Sequence, residues 1–139
     1  MRFLLDTMVV SEPAKPKPDP GVLAWLEAQD PWELTVSVLT LGEIQRGVER
    51  MTAGQRKAEL LDWLATALPG QFGERVLPVD TDVALAWGTL TTESERLSRP
   101  LHVVAGLLLA TAWVHGLTLV TRNVNDFDQR GVPLLNPYG

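Results

Sequence analysis

Five short apolar runs are separated by longer stretches of helical periodicity, and this alternation constrains the fold more than any other feature of the chain. The runs are Phe3–Leu5, Leu34–Val38, Val76–Val79, Leu117–Thr121 and Pro133–Leu135. Each is too short for a helix and reads as a buried strand. Asp19-Pro20 opens a helix, with Asp as the cap, Pro in the first turn, and Val22, Leu23, Trp25 and Leu26 on its apolar face. Thr40–Met51 sets Leu41, Ile44, Val48 and Met51 on one side of a second helix. A third helix is predicted from Ala53 to Ala67, stopping near Pro69-Gly70, and a fourth from Asp80 to Leu97. Leu101–His115 is apolar nearly all round, so it is expected to form a central buried helix that ends at Gly116. Pro13–Pro20 holds four prolines and two lysines and reads as a stiff exposed loop. Strands alternating with helices imply an α/β fold with a parallel sheet, and 139 residues suit one domain spanning 1–139.

Composition narrows the chemistry. There is no cysteine, which rules out a disulfide framework and a thiolate metal site and fits a reducing, cytoplasmic setting. No signal peptide is expected at the N-terminus. The longest apolar stretch, Val103–Val114, is too short to span a bilayer, so no membrane role is expected. A net charge of −5 argues against a general nucleic-acid coat. It leaves room for a nuclease, because acids gathered around a metal ion add negative charge. No G-x-G-x-x-G or G-x-x-x-x-G-K-[ST] pattern occurs, which argues against a nucleotide-binding fold.

The polar residues at the strand ends point to a site. In FLLDTMVVSEP, an apolar run is broken by one carboxylate, Asp6, whose burial demands a counter-charge or hydrogen bonds. Open parallel sheets form their sites beyond the carboxyl ends of the strands. Asp6 follows the first run, Glu43 lies near the start of the helix after the second, and Asn123 and Asp126 follow the fourth. Carboxylates plus an amide oxygen, with no cysteine and little histidine, make a hard-oxygen set suited to Mg²⁺ or Mn²⁺. Such ions acidify water and clamp phosphoryl oxygens, the chemistry of phosphodiester hydrolysis. Each residue also has a plain structural role available. Thr40-Leu41-Gly42-Glu43 fits a T-x-x-E capping box, Asp6 fits a turn cap, and Asn123 and Asp126 fit ordinary turns. Arg122 stands beside the acids, either to hold a phosphate or to neutralise them. Asp6 as an aspartyl nucleophile is a further reading, weakened because Met8 stands where that chemistry wants a second Asp.

Taken together, LLDTMVVSEP, SVLTLGEIQRGVERM, LPVDTDVALAWGTL, ATAWVHGLTLVTRNVNDF and LLNP resemble the PIN-domain family, and within it the VapC-type toxins of bacterial toxin–antitoxin pairs. The resemblance runs from Met1 to about Pro137, and it is the order and spacing of the motifs that make it specific. It implies a three-layer α/β/α sandwich around a parallel sheet. It implies Mg²⁺- or Mn²⁺-dependent endoribonuclease action on transfer or ribosomal RNA, an antitoxin covering the active-site groove, and a homodimer. The family's acids map to Asp6 and Glu43, its Asp-or-Asn position maps to Asn123, and Asp126 lies close enough to assist with metal. Thr7 and Thr121 match small hydroxyl residues near the metal and, with Arg122, are the candidate substrate contacts.

The chain departs from the family pattern at a catalytic position. The family's third acid falls at Ala105, and Met8 replaces a common polar residue. One carboxylate is therefore missing, and metal binding and cleavage are expected to be severely impaired. One Asp-to-Ala change in an otherwise intact pattern has the form of an engineered knock-out, with natural loss as the other origin. The rival function is a PIN-like module that binds antitoxin or RNA without cutting.

Overall fold

The computed structural model describes residues 1–139. Strands β1 (Phe3–Leu5), β2 (Leu34–Ser37), β3 (Val76–Leu77), β4 (Thr118–Val120) and β5 (Leu134–Leu135) form one sheet. Its order is β3-β2-β1-β4-β5, and every neighbouring pair is parallel. β1 is central, with Phe3 opposite both Leu34 and Thr118.

Side chains alternate across a strand, and here the alternation divides the core into two halves. Phe3, Leu5, Val36 and Val120 join a cluster with Val9, Val22, Ile44, Val48, Leu64, Leu68 and Phe72. That half is covered by helices α1 (Thr7–Ser11), α2 (Pro20–Ala28), α3 (Val38–Glu49), α4 (Gln55–Asp62) and α5 (Leu68–Phe72). Trp25 of α2 meets the Phe3 ring edge-on, with centroids 5.0 Å apart. Leu4 and Leu119 face the other way, into a cluster with Leu77, Leu108, Leu109, Ala112 and Phe127. This half lies under α6 (Thr81–Arg96) and α7 (Val103–His115), and a short helix α8 (Val124–Phe127) follows β4. The result is the expected three-layer α/β/α arrangement.

Local chemistry explains the helix ends. Asp19 and Asp80 cap α2 and α6 by accepting from the N–H of Val22 and Val83. Gly116 closes α7 at φ +65, a left-handed position that favours glycine. Gly106 in α7 lets α6 come close, because a Cβ there would sit 3.1 Å from Trp87 Nε1.

Several boundaries differ from the sequence expectation. β2 ends at Ser37, and α3 begins at Val38 instead of Thr40, because the Ser37 hydroxyl accepts the N–H of Leu39 and caps the helix. Thr40 is fully buried inside α3, so the T-x-x-E capping box does not form. The helix expected to stop near Pro69 continues instead. A π-helical turn at Trp63–Ala67 follows α4, and Pro69 falls in the first turn of α5, where a missing N–H is tolerated. β3 is two residues long because Pro78 cannot donate to the ladder. The proline-rich loop starts with a 3₁₀ turn, Glu12–Ala14, in which Glu12 is buried. α7 starts at Val103 with His102 at its cap; it is buried along its middle, while Val103, Trp113 and Val114 near its ends are exposed. No helix is long and apolar enough to cross a membrane.

Candidate functional site

The carboxyl ends of β1, β2 and β4 bring Asp6, Glu43 and Asn123 to one side of the sheet. The chain continues beyond β1 with Asp6, whose N–H donates to Val120 O at 2.9 Å, and turns into α1. Both oxygens of Asp6 are engaged. Oδ1 accepts the N–H of Thr7 at 2.7 Å, and Oδ2 accepts the hydroxyl of the buried Thr121 at 2.7 Å. Thr121 Oγ1 in turn accepts the backbone N–H of Asn123 at 3.0 Å, so the end of β4 fixes the orientation of Asp6. Thr7 bridges to the second acid, its hydroxyl donating to Glu43 Oε1 at 2.6 Å, with Thr40 Oγ1 3.4 Å away. Glu43 therefore points into the site and does not serve the start of α3.

No basic side chain pairs with Asp6. Burial pushes its carboxyl above the usual range, the hydrogen bonds from Thr121 and Thr7 counter this, and the charge of Glu43 adds to the rise. A pair of carboxylates held this way is electrostatically unsatisfied.

The two acids open into a cavity of about 780 Å³. Thr7, Met8, Ala105, Asn123 and Asp126 line it as well, so the fold gathers most of the residues singled out in the sequence. Ala105 enters from the first turns of α7 and brings a methyl group where the family pattern has a carboxylate. Thr121 lies behind Asp6 and not on the cavity wall. Arg122 is exposed outside the lining, its guanidinium 4.7 Å from the centre of the Tyr138 ring. Lys15 is paired with Glu12 at 2.7 Å.

The donor set matches one hydrated hard cation. Asp6 and Glu43 offer carboxylate oxygens, and Asn123 and Asp126 stand exposed on the same cavity. Mg²⁺ commonly binds through one or two carboxylates and keeps several waters. No three His, Cys, Asp or Glu side chains gather closely enough to form a fuller cage. The cavity also has a cationic end that sequence reading missed, formed by Arg99 and Arg130. Neither lies in a motif, and only the folded chain brings them together.

Comparisons with known proteins bear on this geometry. The PIN domain family matches residues 3–132. The VapC ribonuclease Y4jK of Sinorhizobium fredii is 33% identical over 136 residues, covering 98% of this chain and 97% of that protein. The crystal structure of FitAcB from Neisseria gonorrhoeae superposes with a TM-score of 0.92 at 32% identity, covering 97% of each chain. A toxin–antitoxin complex from Klebsiella pneumoniae superposes with a TM-score of 0.73 at 26% identity, again over 97% of each chain.

Proposed function

The chain belongs to the PIN-domain family, and on that premise we propose that it is a VapC-type toxin whose site is built for divalent-metal-dependent endoribonuclease action and is disabled at Ala105. The observation that carries the reading is the Asp6–Thr7–Glu43 bridge: two carboxylates from different strand ends, locked side by side over one cavity with no basic side chain paired to either. Asp6, Glu43 and the amide oxygen of Asn123 would hold Mg²⁺ or Mn²⁺, with Asp126 assisting from the rim. When bound, such an ion acidifies water and neutralises phosphoryl charge. Thr7 and Thr121 set the directions of the two carboxylates. Ala105 contributes no oxygen, so the site holds the ion weakly and leaves less negative charge to organise the reaction.

The name of the Sinorhizobium fredii relative supports RNA as substrate, with transfer or ribosomal RNA the class the family resemblance implies. The Klebsiella pneumoniae toxin–antitoxin complex supports a cognate antitoxin as partner, and a seat over the cavity is what the family resemblance implies for it. A homodimer, the extent of the domain over residues 1–139 and a cytoplasmic setting belong to the same proposal.

RNA cleavage with added Mn²⁺ or Mg²⁺ tests it. The chain itself is expected to cut near background. Ala105→Asp is expected to raise the rate by about 10²–10⁴, the range typical of one positioned acid–base group. EDTA and a further Asp6→Ala change should each remove that gain. A folded Ala105→Asp protein that stays inert across a broad RNA panel would favour the non-catalytic binding module, for which Ala105 is the specific observation.

A further inference from the structure

The cationic end of the cavity is built with unusual charge bookkeeping. Arg99 follows α6, and Arg130 lies beyond α8. Arg99 donates from Nη1 to Asp128 O at 3.1 Å and from Nη2 to Asn125 O at 2.9 Å. Arg130 donates from Nε to Asp126 O at 3.0 Å, from Nη2 to Arg99 O at 3.0 Å and from Nη1 to the hydroxyl of the buried Ser94. All five acceptors are neutral. The ion pairs of the chain are Lys15–Glu12 and Arg96–Glu93, so neither arginine has a carboxylate partner.

Fastening a loop through carbonyls needs donors but no net charge. Here two guanidiniums are tied to each other as well as to the loop, Arg130 donating to the Arg99 carbonyl at 3.0 Å. Donors also remain. A guanidinium has five N–H groups, so Arg99 keeps about three and Arg130 about two beyond these bonds. Arg99 Nε has no protein partner and is not a buried orphan, so it is open to solvent. Two pre-positioned guanidiniums, neither in an ion pair and both with donors left over, stand on the wall of a ligand-sized cavity and match the oxygens of a phosphate.

We infer that Arg99 and Arg130 form a phosphate subsite that takes a phosphodiester of the same RNA strand whose scissile phosphate meets Asp6 and Glu43. The inference rests on the RNA reading above and adds the residues that grip the strand. It favours RNA over a protein carboxylate because the cavity pairs this cationic end with an acidic end suited to a metal ion and a second phosphate. The subsite lies on a wall that Ala105 does not disable, so this chain should still bind RNA.

The test is fluorescence anisotropy with a labelled single-stranded RNA dodecamer and Mg²⁺, repeated over a series of KCl concentrations. Arg99→Gln is expected to weaken binding about fivefold or more and to flatten the slope of log K against log salt by about 0.7, the loss of one phosphate contact on a single strand. Arg99→Lys should keep the slope and lose part of the affinity, since it keeps the charge without the fork. A merely structural role would leave the slope unchanged. If Arg130→Gln unfolds by thermal melt, Arg99→Gln decides alone, because its side-chain bonds reach only the backbone carbonyls of two exposed residues, Asn125 and Asp128. If the chain binds the dodecamer and Arg99→Gln matches it in affinity and slope, the subsite is overturned and the RNA reading stands. If the chain ignores RNA but holds a Glu-rich peptide through Arg99, the phosphate inference and the RNA reading both fall.

Discussion

Asp6 and Glu12 are two withdrawn carboxylates six residues apart, and the fold treats them in opposite ways. Glu12 is 3% exposed and fully compensated. Lys15 Nζ lies 2.7 Å from Oε2, the N–H of Asp19 donates to Oε1 at 2.9 Å, and the Tyr138 hydroxyl donates to Oε2 at 3.2 Å. Burial alone would raise its carboxyl. The Lys15 bond, the Asp19 N–H, the Lys15 charge and the Tyr138 hydroxyl outweigh that and hold it below the usual glutamate range. Tyr138 shows the reverse, its hydroxyl pushed up to about 12 by burial and then by the charge of Glu12. Asp6 receives hydrogen bonds but no basic side chain, sits beside Glu43, and is raised. The contrast separates a carboxylate that holds structure together from one kept ready for a cation. Glu12 ties the loop after α1 to the C-terminal tail, while the cost of keeping Asp6 charged stays in the fold as potential affinity for a metal.

The comparison can be broken at either acid. The largest stability effect is expected from Glu12→Gln, which removes the anion from a buried cluster and should cost about 1–3 kcal/mol at neutral pH, read from urea melts. The sign of its pH dependence follows from the lowered pKa. The stabilisation is present above the unfolded value near 4.5 and is lost as pH falls through the lower folded value, so mutant and parent should converge in acid. Tyr138→Phe removes one of the three donors and should cost about 0.5–1.5 kcal/mol by the same measurement. Asp6→Asn should act in the opposite sense, stabilising by about 0.5 kcal/mol at neutral pH because the charged form is the disfavoured one. For a raised pKa, the stabilising contribution belongs to the protonated form, is full below 3.8 and fades as pH rises through the folded value. The advantage of Asp6→Asn should therefore vanish on acidification, and thermal melts across pH check it.

Legibility in the sequence followed the range of the interaction. The strands, the Asp19 cap and the Gly116 stop depend on near neighbours, and all were readable. So was the placing of Asp6 after a strand, because a carboxylate within an apolar run is conspicuous. The start of α3 was misread because Thr40 and Glu43 imitate a capping box, while Ser37, three residues earlier, makes the bond. Pro69 looked like a stop because the relief offered by a π turn has no sequence signature. Glu12 drew no notice in the sequence, since its partners Asp19 and Tyr138 lie seven and 126 positions away. Arg99 and Arg130 were invisible for the same reason, joined across 31 positions with no motif at either end.

The central claim is that Asp6 lacks a counter-charge because a divalent cation supplies it, and that Ala105 weakens the hold on that ion. Calorimetric titration of Mn²⁺ into the chain, Asp6→Asn and Ala105→Asp tests this most directly. Losing even an outer-shell partner costs a metal site about 10–100-fold in affinity, so restoring a carboxylate at 105 should tighten binding by at least that much. Asp6→Asn should abolish the weak binding that remains. Equal Mn²⁺ affinity in all three proteins would contradict the account.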